Sequence, residues 1–182
     1  MKAAMDSYKF GIKIFVANPA VVQPADFIPV FQNWIQSQSI PGHLLIDVHD
    51  YSHVHHGPGI LLVAHEGNFS MDAEEGRLGL VYYRKQHAPG DGAAQLRATV
   101  QTAREACRLL AGDARLKRLT FREDEFRVIV NDRLRAPNTA DTRSVLEPVV
   151  ARVFAEEFPG RNVTIVSATT DARERFALIV RL

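Results

Sequence analysis

From Tyr8 to Val16 every second residue is apolar: Tyr8, Phe10, Ile12, Ile14 and Val16 share one parity, while Lys9, Gly11 and Lys13 fill positions between them. A period of two sends successive side chains to opposite faces, so this segment reads as a half-buried strand. Most other extended stretches repeat the one-sided pattern. Such strands cannot stand alone, because their apolar face needs a cover. Three helical stretches, each with a single apolar stripe, are available to provide it.

The first helix carries Phe27, Val30, Phe31, Trp34 and Ile35 at helical spacing, with Pro24 near its start and Pro41-Gly42 beyond its end. Pro29 is awkward inside it, since proline removes a backbone donor. Strands are expected at about His43–Val48, Ile60–His65 and Leu78–Lys85. A second helix over about Ala93–Ala111 places Leu96, Val100, Ala103, Cys107 and Leu110 on its apolar side. Two strands, about Leu116–Arg122 and Phe126–Asp132, flank the polar turn Glu123-Asp124-Glu125. Asn138 or Thr139 caps a third helix, with Val145, Leu146, Val149, Val150, Val153 and Phe154 as its buried stripe. Strands at about Asn162–Ala168 and Arg175–Arg181 complete the chain. The expected fold is an α+β two-layer sandwich, with three helices on one face of a largely antiparallel sheet. Within it, Leu78 to Ala168 reads βαββαβ, the ferredoxin-like order.

At 182 residues and 46% hydrophobic, the chain is long enough for a substantial core. It reads as one α/β domain over 1–182, divisible into a His-rich half, 1–88, and an Arg-rich half, 89–182. His87-Ala88-Pro89-Gly90-Asp91-Gly92 is the best boundary between them. All seven histidines lie in the first half, and 15 of the 17 arginines lie in the second. No apolar run approaches the roughly 18–20 residues of a membrane span, so no membrane partner is expected. The N-terminal run MKAAMDSYKFGIKIFV reads as a strand entry and not as a signal peptide. The single Cys107 cannot form an internal disulfide, which suits a cytoplasmic protein.

Chemistry-bearing residues concentrate in HLLIDVHDYSHVHHGPGILLVAHEG, which holds six of the seven histidines. Read as a hairpin turning near Val54, this block places His43 opposite His65, Leu45 opposite Val63 and Asp47 opposite Leu61. Leu44, Ile46 and Val48 would then face the helices, and His43, Asp47, His49 and His65 the open side. His53, His55 and His65 are the candidate ligands of a divalent metal such as zinc, because neutral imidazoles suit such ions. Asp50, His53 and Glu66 are the candidate catalytic groups, as bases or as groups orienting an imidazole. Tyr51, Ser52, His56, Gly57 and Gly59 are the candidates for holding a small ligand, since glycines let backbone N–H groups approach an anion. Against this stand ordinary turn chemistry at Gly-Pro-Gly and the lack of a diagnostic spacing such as HExxH. Ser52, His53 and Asp50 contain the residue types of a hydrolytic triad, but neighbours in an extended chain point apart.

The stretch LLIDVHDYSHVHHGPGILLVAHEGNFSMD, followed by GRLGLVYYRK, resembles a group of bacterial proteins of unknown function across roughly residues 8–86. The resemblance implies no activity, cofactor or fold.

Arg118, Arg122, Arg127, Arg133, Arg175 and Arg181 are expected on the sheet face away from the helices. Mixed with aliphatic side chains, they suit a homodimer contact through that face, or an ordinary solvated surface with ion pairs to Glu123, Asp124, Glu125 and Asp132. Sheets that bind RNA in this topology expose stacking aromatics, which are not expected here, so nucleic acid is not an expected partner. Two functions fit. One is an accessory module binding a small polar or anionic ligand at the His-rich hairpin; the other is a metal-dependent, hydrolase-like enzyme using the same histidines.

Overall fold

The helix begun by Phe27 shows how local chemistry sets the elements. In the computed structural model, which describes residues 8–86 and 89–182, α1 spans Phe27–Ser37. Pro29 therefore falls in the first turn, where backbone donors have no intrahelical partner and a missing N–H costs little. Helix α2, Gly92–Gly112, starts where the Asp91 carboxylate accepts from the Ala94 N–H at 2.9 Å. Helix α3, Ala140–Glu157, starts where the Thr139 hydroxyl accepts from Thr142. Val145, expected in the buried stripe of α3, is instead 45% exposed.

Among the described residues eight strands form a single open antiparallel sheet. They are β1 (Phe10–Val16), β2 (Leu45–Tyr51), β3 (Gly59–Ala64), β4 (Gly67–Asp72), β5 (Gly79–Arg84), β6 (Phe121–Val130), β7 (Thr164–Ser167) and β8 (Ala177–Arg181). Their spatial order is β2-β3-β4-β5-β1-β6-β8-β7. The expected ferredoxin-like βαββαβ two-layer sandwich does not form. Two features overturn it. Gly67–Asp72, where no strand is expected from the sequence, is an interior strand with Phe69 and Met71 buried. Glu123-Asp124-Glu125, read as a turn, lies within one ten-residue strand. Its charges are tolerated because arginines meet them: Arg122 pairs with Asp124, and Arg77 with Glu125.

Register sorts the side chains. Phe69 lies beside Leu62 and Tyr82, Tyr82 beside Ile12, and Ile12 beside Val128. All belong to the main apolar core together with the buried residues of the three helices, and residues from both halves of the chain share that core. The Trp34 ring meets Phe69, and Phe154 meets Phe126. The other face of β1 carries Gly11, Lys13 and Phe15. It was expected to be wet, yet all seven residues of β1 are buried. Tyr83 lies directly over Gly11, where a Cβ would come 2.4 Å from the ring. Among the described residues, no helix is long and apolar enough to cross a membrane. His87 and Ala88, part of the expected boundary, and the first seven residues of the N-terminal run lie outside those described.

Candidate functional site

The His-rich hairpin forms, but in a different register. Asp47 pairs with Val63 and His49 with Leu61, while Leu45 pairs with Ala64 across a bulge. The bulge turns Leu45 into the core and leaves Leu44 and Ile46 more than half exposed, reversing the expected facing of those two residues. His43 also leaves the open side. It is buried against Phe69 and Tyr82. The Pro41 carbonyl, 3.1 Å from Nδ1, can only accept, so Nδ1 carries the proton and Nε2 accepts from the Tyr82 hydroxyl at 2.7 Å. Burial pulls the His43 pKa below its usual value and pushes the Tyr82 phenol up to about 12. This pair is a neutral core hydrogen bond.

The remaining candidates diverge. The Ser52 hydroxyl donates to Asp50 at 2.5 Å, as does the Ser52 N–H at 2.8 Å, and these bonds hold the Asp50 carboxyl below its usual range. Ser52 thus bonds to Asp50, and among the described residues its hydroxyl bonds to no imidazole, so the Ser–His pair of a hydrolytic triad does not form. Glu66 accepts from the Leu44 N–H at 2.8 Å, tying down the entry to β2. Tyr51, His53, His55, His56 and His65 are exposed, and the rings of His55 and His56 touch each other. The Gly57 N–H is used by the Val54 carbonyl, and Gly59 pairs with Tyr51 in the ladder. Their role is turn closure. Among the described residues, no three His, Cys, Asp or Glu side chains converge as they would around a metal ion.

A cavity of about 770 Å³ opens elsewhere, between the second half of α2, the start of β6 and the chain just after α3. Its floor includes Ile14, Cys107, Phe121, Phe126 and Phe158. Burial pushes the Cys107 thiol well up, so this cysteine packs as a small hydrophobe. Arg104, Arg108, Arg122 and Arg161 line it too, together with the carboxylates of Glu105 and Glu123, so cations outnumber anions at its rim. Arg104 lies over the Phe158 ring at 4.6 Å. Arg108 forks onto Glu105, and Arg122 onto Asp124. The Arg161 side chain makes no hydrogen bond or ion pair among the described residues and acts on Asp124 only through its field. Sequence reasoning missed this site, although Gln101, Arg104, Glu105 and Arg108 at i, i+3, i+4 and i+7 were a legible polar stripe beside Cys107.

The open sheet face carries a third constellation. The segment between β4 and β5 crosses it as a strap. Lys13 pairs with Asp72, Arg127 with Glu75 at 3.0 Å, and Arg175 with Glu74 at 3.8 Å. Arg77 forks onto Glu125, at 3.0 and 3.1 Å, and covers Phe15 at 3.6 Å. That fork holds the Glu125 carboxyl below its usual range. Arg175 donates to the Tyr83 hydroxyl at 2.7 Å, while burial pushes that phenol up to about 12. Aromatics therefore do occupy this face, contrary to expectation, but Phe15 and Tyr83 both lie beneath guanidinium groups. The face expected to meet a second copy is roofed at its centre by the chain's own strap.

No family model matches the chain, and comparisons with curated proteins and with solved structures likewise found no match.

Proposed function

We propose that the protein is a binding module for a small amphipathic anion, an aryl or acyl group bearing a carboxylate, sulfonate or phosphate, held in the cavity between α2, β6 and the end of α3. The expectation of a small anionic ligand is kept and its place is moved from the hairpin to this cavity. One observation carries the reading: an apolar, aromatic floor beneath a rim of four arginines, one of them without a side-chain hydrogen bond or ion pair among the described residues. Ligand sites are typically concave, mostly apolar and furnished with a few orienting polar groups, at volumes of roughly 300–1,000 Å³. Phe121, Phe126 and Phe158 would take the apolar body. Arg161 and Arg104 would take the charge. Among the described residues no three His, Cys, Asp or Glu side chains converge, so the metal-dependent hydrolase reading gains no support from the placement of the histidines.

The test is a fluorescence titration with anilinonaphthalene sulfonate, an aryl anion of suitable size. Each charge-assisted hydrogen bond contributes about 1.5–3 kcal/mol, so Arg104→Ala/Arg161→Ala should weaken binding at least about tenfold. Affinity within twofold of wild type in that folded variant, or equal binding of the uncharged anilinonaphthalene, would sink the reading.

A further inference from the structure

Lys13 and Arg127 sit directly opposite each other on β1 and β6, on the open face of the sheet. Like charges facing each other across a ladder are destabilising, and these two are 1% and 8% exposed. A third cation, Arg175, reaches over Tyr83 beside them. Buried charges persist only when paired. Here the pairing comes from Asp72 at the end of β4 and from Glu74 and Glu75 on the strap.

The pairing is lopsided. The Arg127 side chain is 10% exposed, whereas its partner Glu75 is 58% exposed. The Arg127 Nε–H is buried and has no hydrogen-bond partner among the described residues, an unusual state for a buried donor. The strap turns through left-handed backbone at Glu75 and Gly76, with φ of 59° and 71°. Releasing Glu75 to water therefore costs the carboxylate little, and it leaves the guanidinium beneath with two unmet donors in a poorly solvated place.

We propose that the strap covers a second binding site, for a phosphate-type oxyanion, in which Lys13, Arg127 and Arg175 are the ligands and Glu74 and Glu75 occupy the anion's place. The oxyanion enters as the strap lifts. Planar guanidinium forks suit tetrahedral oxyanions, and the free Nε–H of Arg127 is one donor already available. With both glutamates withdrawn, Asp72 is the one ion-pair partner left to the three cations among the described residues. This site is independent of the cavity proposed above, on the other face of the sheet.

Calorimetric titration at constant ionic strength, with tripolyphosphate and with inorganic phosphate, tests the proposal. Glu74→Gln/Glu75→Gln should bind tripolyphosphate at least about tenfold tighter than wild type, by removing the competing carboxylates. Adding Arg127→Met should abolish that gain, while affinity for anilinonaphthalene sulfonate stays unchanged throughout. If the double variant does not fold, Glu75→Gln alone should still bind at least about threefold tighter, since that carboxylate is largely exposed. A folded glutamine variant that binds no tighter than wild type would overturn the proposal. So would a gain that survives Arg127→Met.

Discussion

His43 and Lys13 are both buried, against what their side-chain types suggest. His43 stands in a segment crowded with titratable side chains and Lys13 in an apolar strand, and both are buried where a distant residue bonds them: Tyr82 in one case, Asp72 in the other. The His43 case has a pH consequence. Burial lowers its folded pKa below the ordinary 6.5, so the unfolded chain binds the extra proton first. The contribution of the neutral imidazole is fully present above pH 6.5 and is lost as pH falls from there through the lowered folded value. Urea unfolding at pH 7.5 and 5.5 should show wild type losing more stability than His43→Gln, which keeps a hydrogen-bonding side chain without titrating. Equal losses would show that another group is responsible.

At the scale of elements, the hairpin of β2 and β3 illustrates what periodicity can and cannot reveal. The alternation of Ile60, Leu62 and Ala64 identified β3 and its buried face correctly. The bulge beside Ile46 was invisible, because one inserted residue leaves composition unchanged while exchanging which neighbour faces inward. The free edge of β2 is also blunted, since the Asp47 carboxylate accepts from the Val48 N–H at 2.8 Å. Where the hairpin loop enters β3, Gly59 has φ of +64°, and a Cβ there would lie 1.9 Å from the Met71 carbonyl oxygen. Gly59→Ala should destabilise the protein by at least about 2 kcal/mol, combining left-handed strain with a backbone clash. Chemical denaturation reads this directly; a loss below about 0.5 kcal/mol, the usual limit for neutral surface changes, would mean that β3 and β4 can separate freely.

Across the whole molecule, burial grades from the centre of the sheet to its edges. All seven residues of β1 are buried, whereas β2 at one edge is mostly exposed and β7 at the other has no buried residue. Amide hydrogen exchange should follow that order, slowest for β1 and its neighbours β5 and β6 and fastest for β2 and β7. Uniform protection across the sheet would contradict it. The helices and the facing of the first strand follow from local pattern, whereas the sheet's topology does not. The helical stripes located Phe27, Val30, Phe31 and Trp34 in the core, and the alternation of Phe10, Ile12 and Ile14 gave β1 its inner face, because both signals depend only on local periodicity. Local pattern was enough to place the three helices and the facing of most strands, and it narrowed the cap of α3 to Asn138 or Thr139, of which the structure uses Thr139. Tertiary contacts settle that GNFSMD is an interior strand, that Glu125 lies within a strand and not in a turn, and that Lys13 is buried. Those outcomes depend on charges and backbone groups meeting across tens of residues, Lys13 with Asp72 and Arg77 with Glu125, and no local pattern records such a meeting.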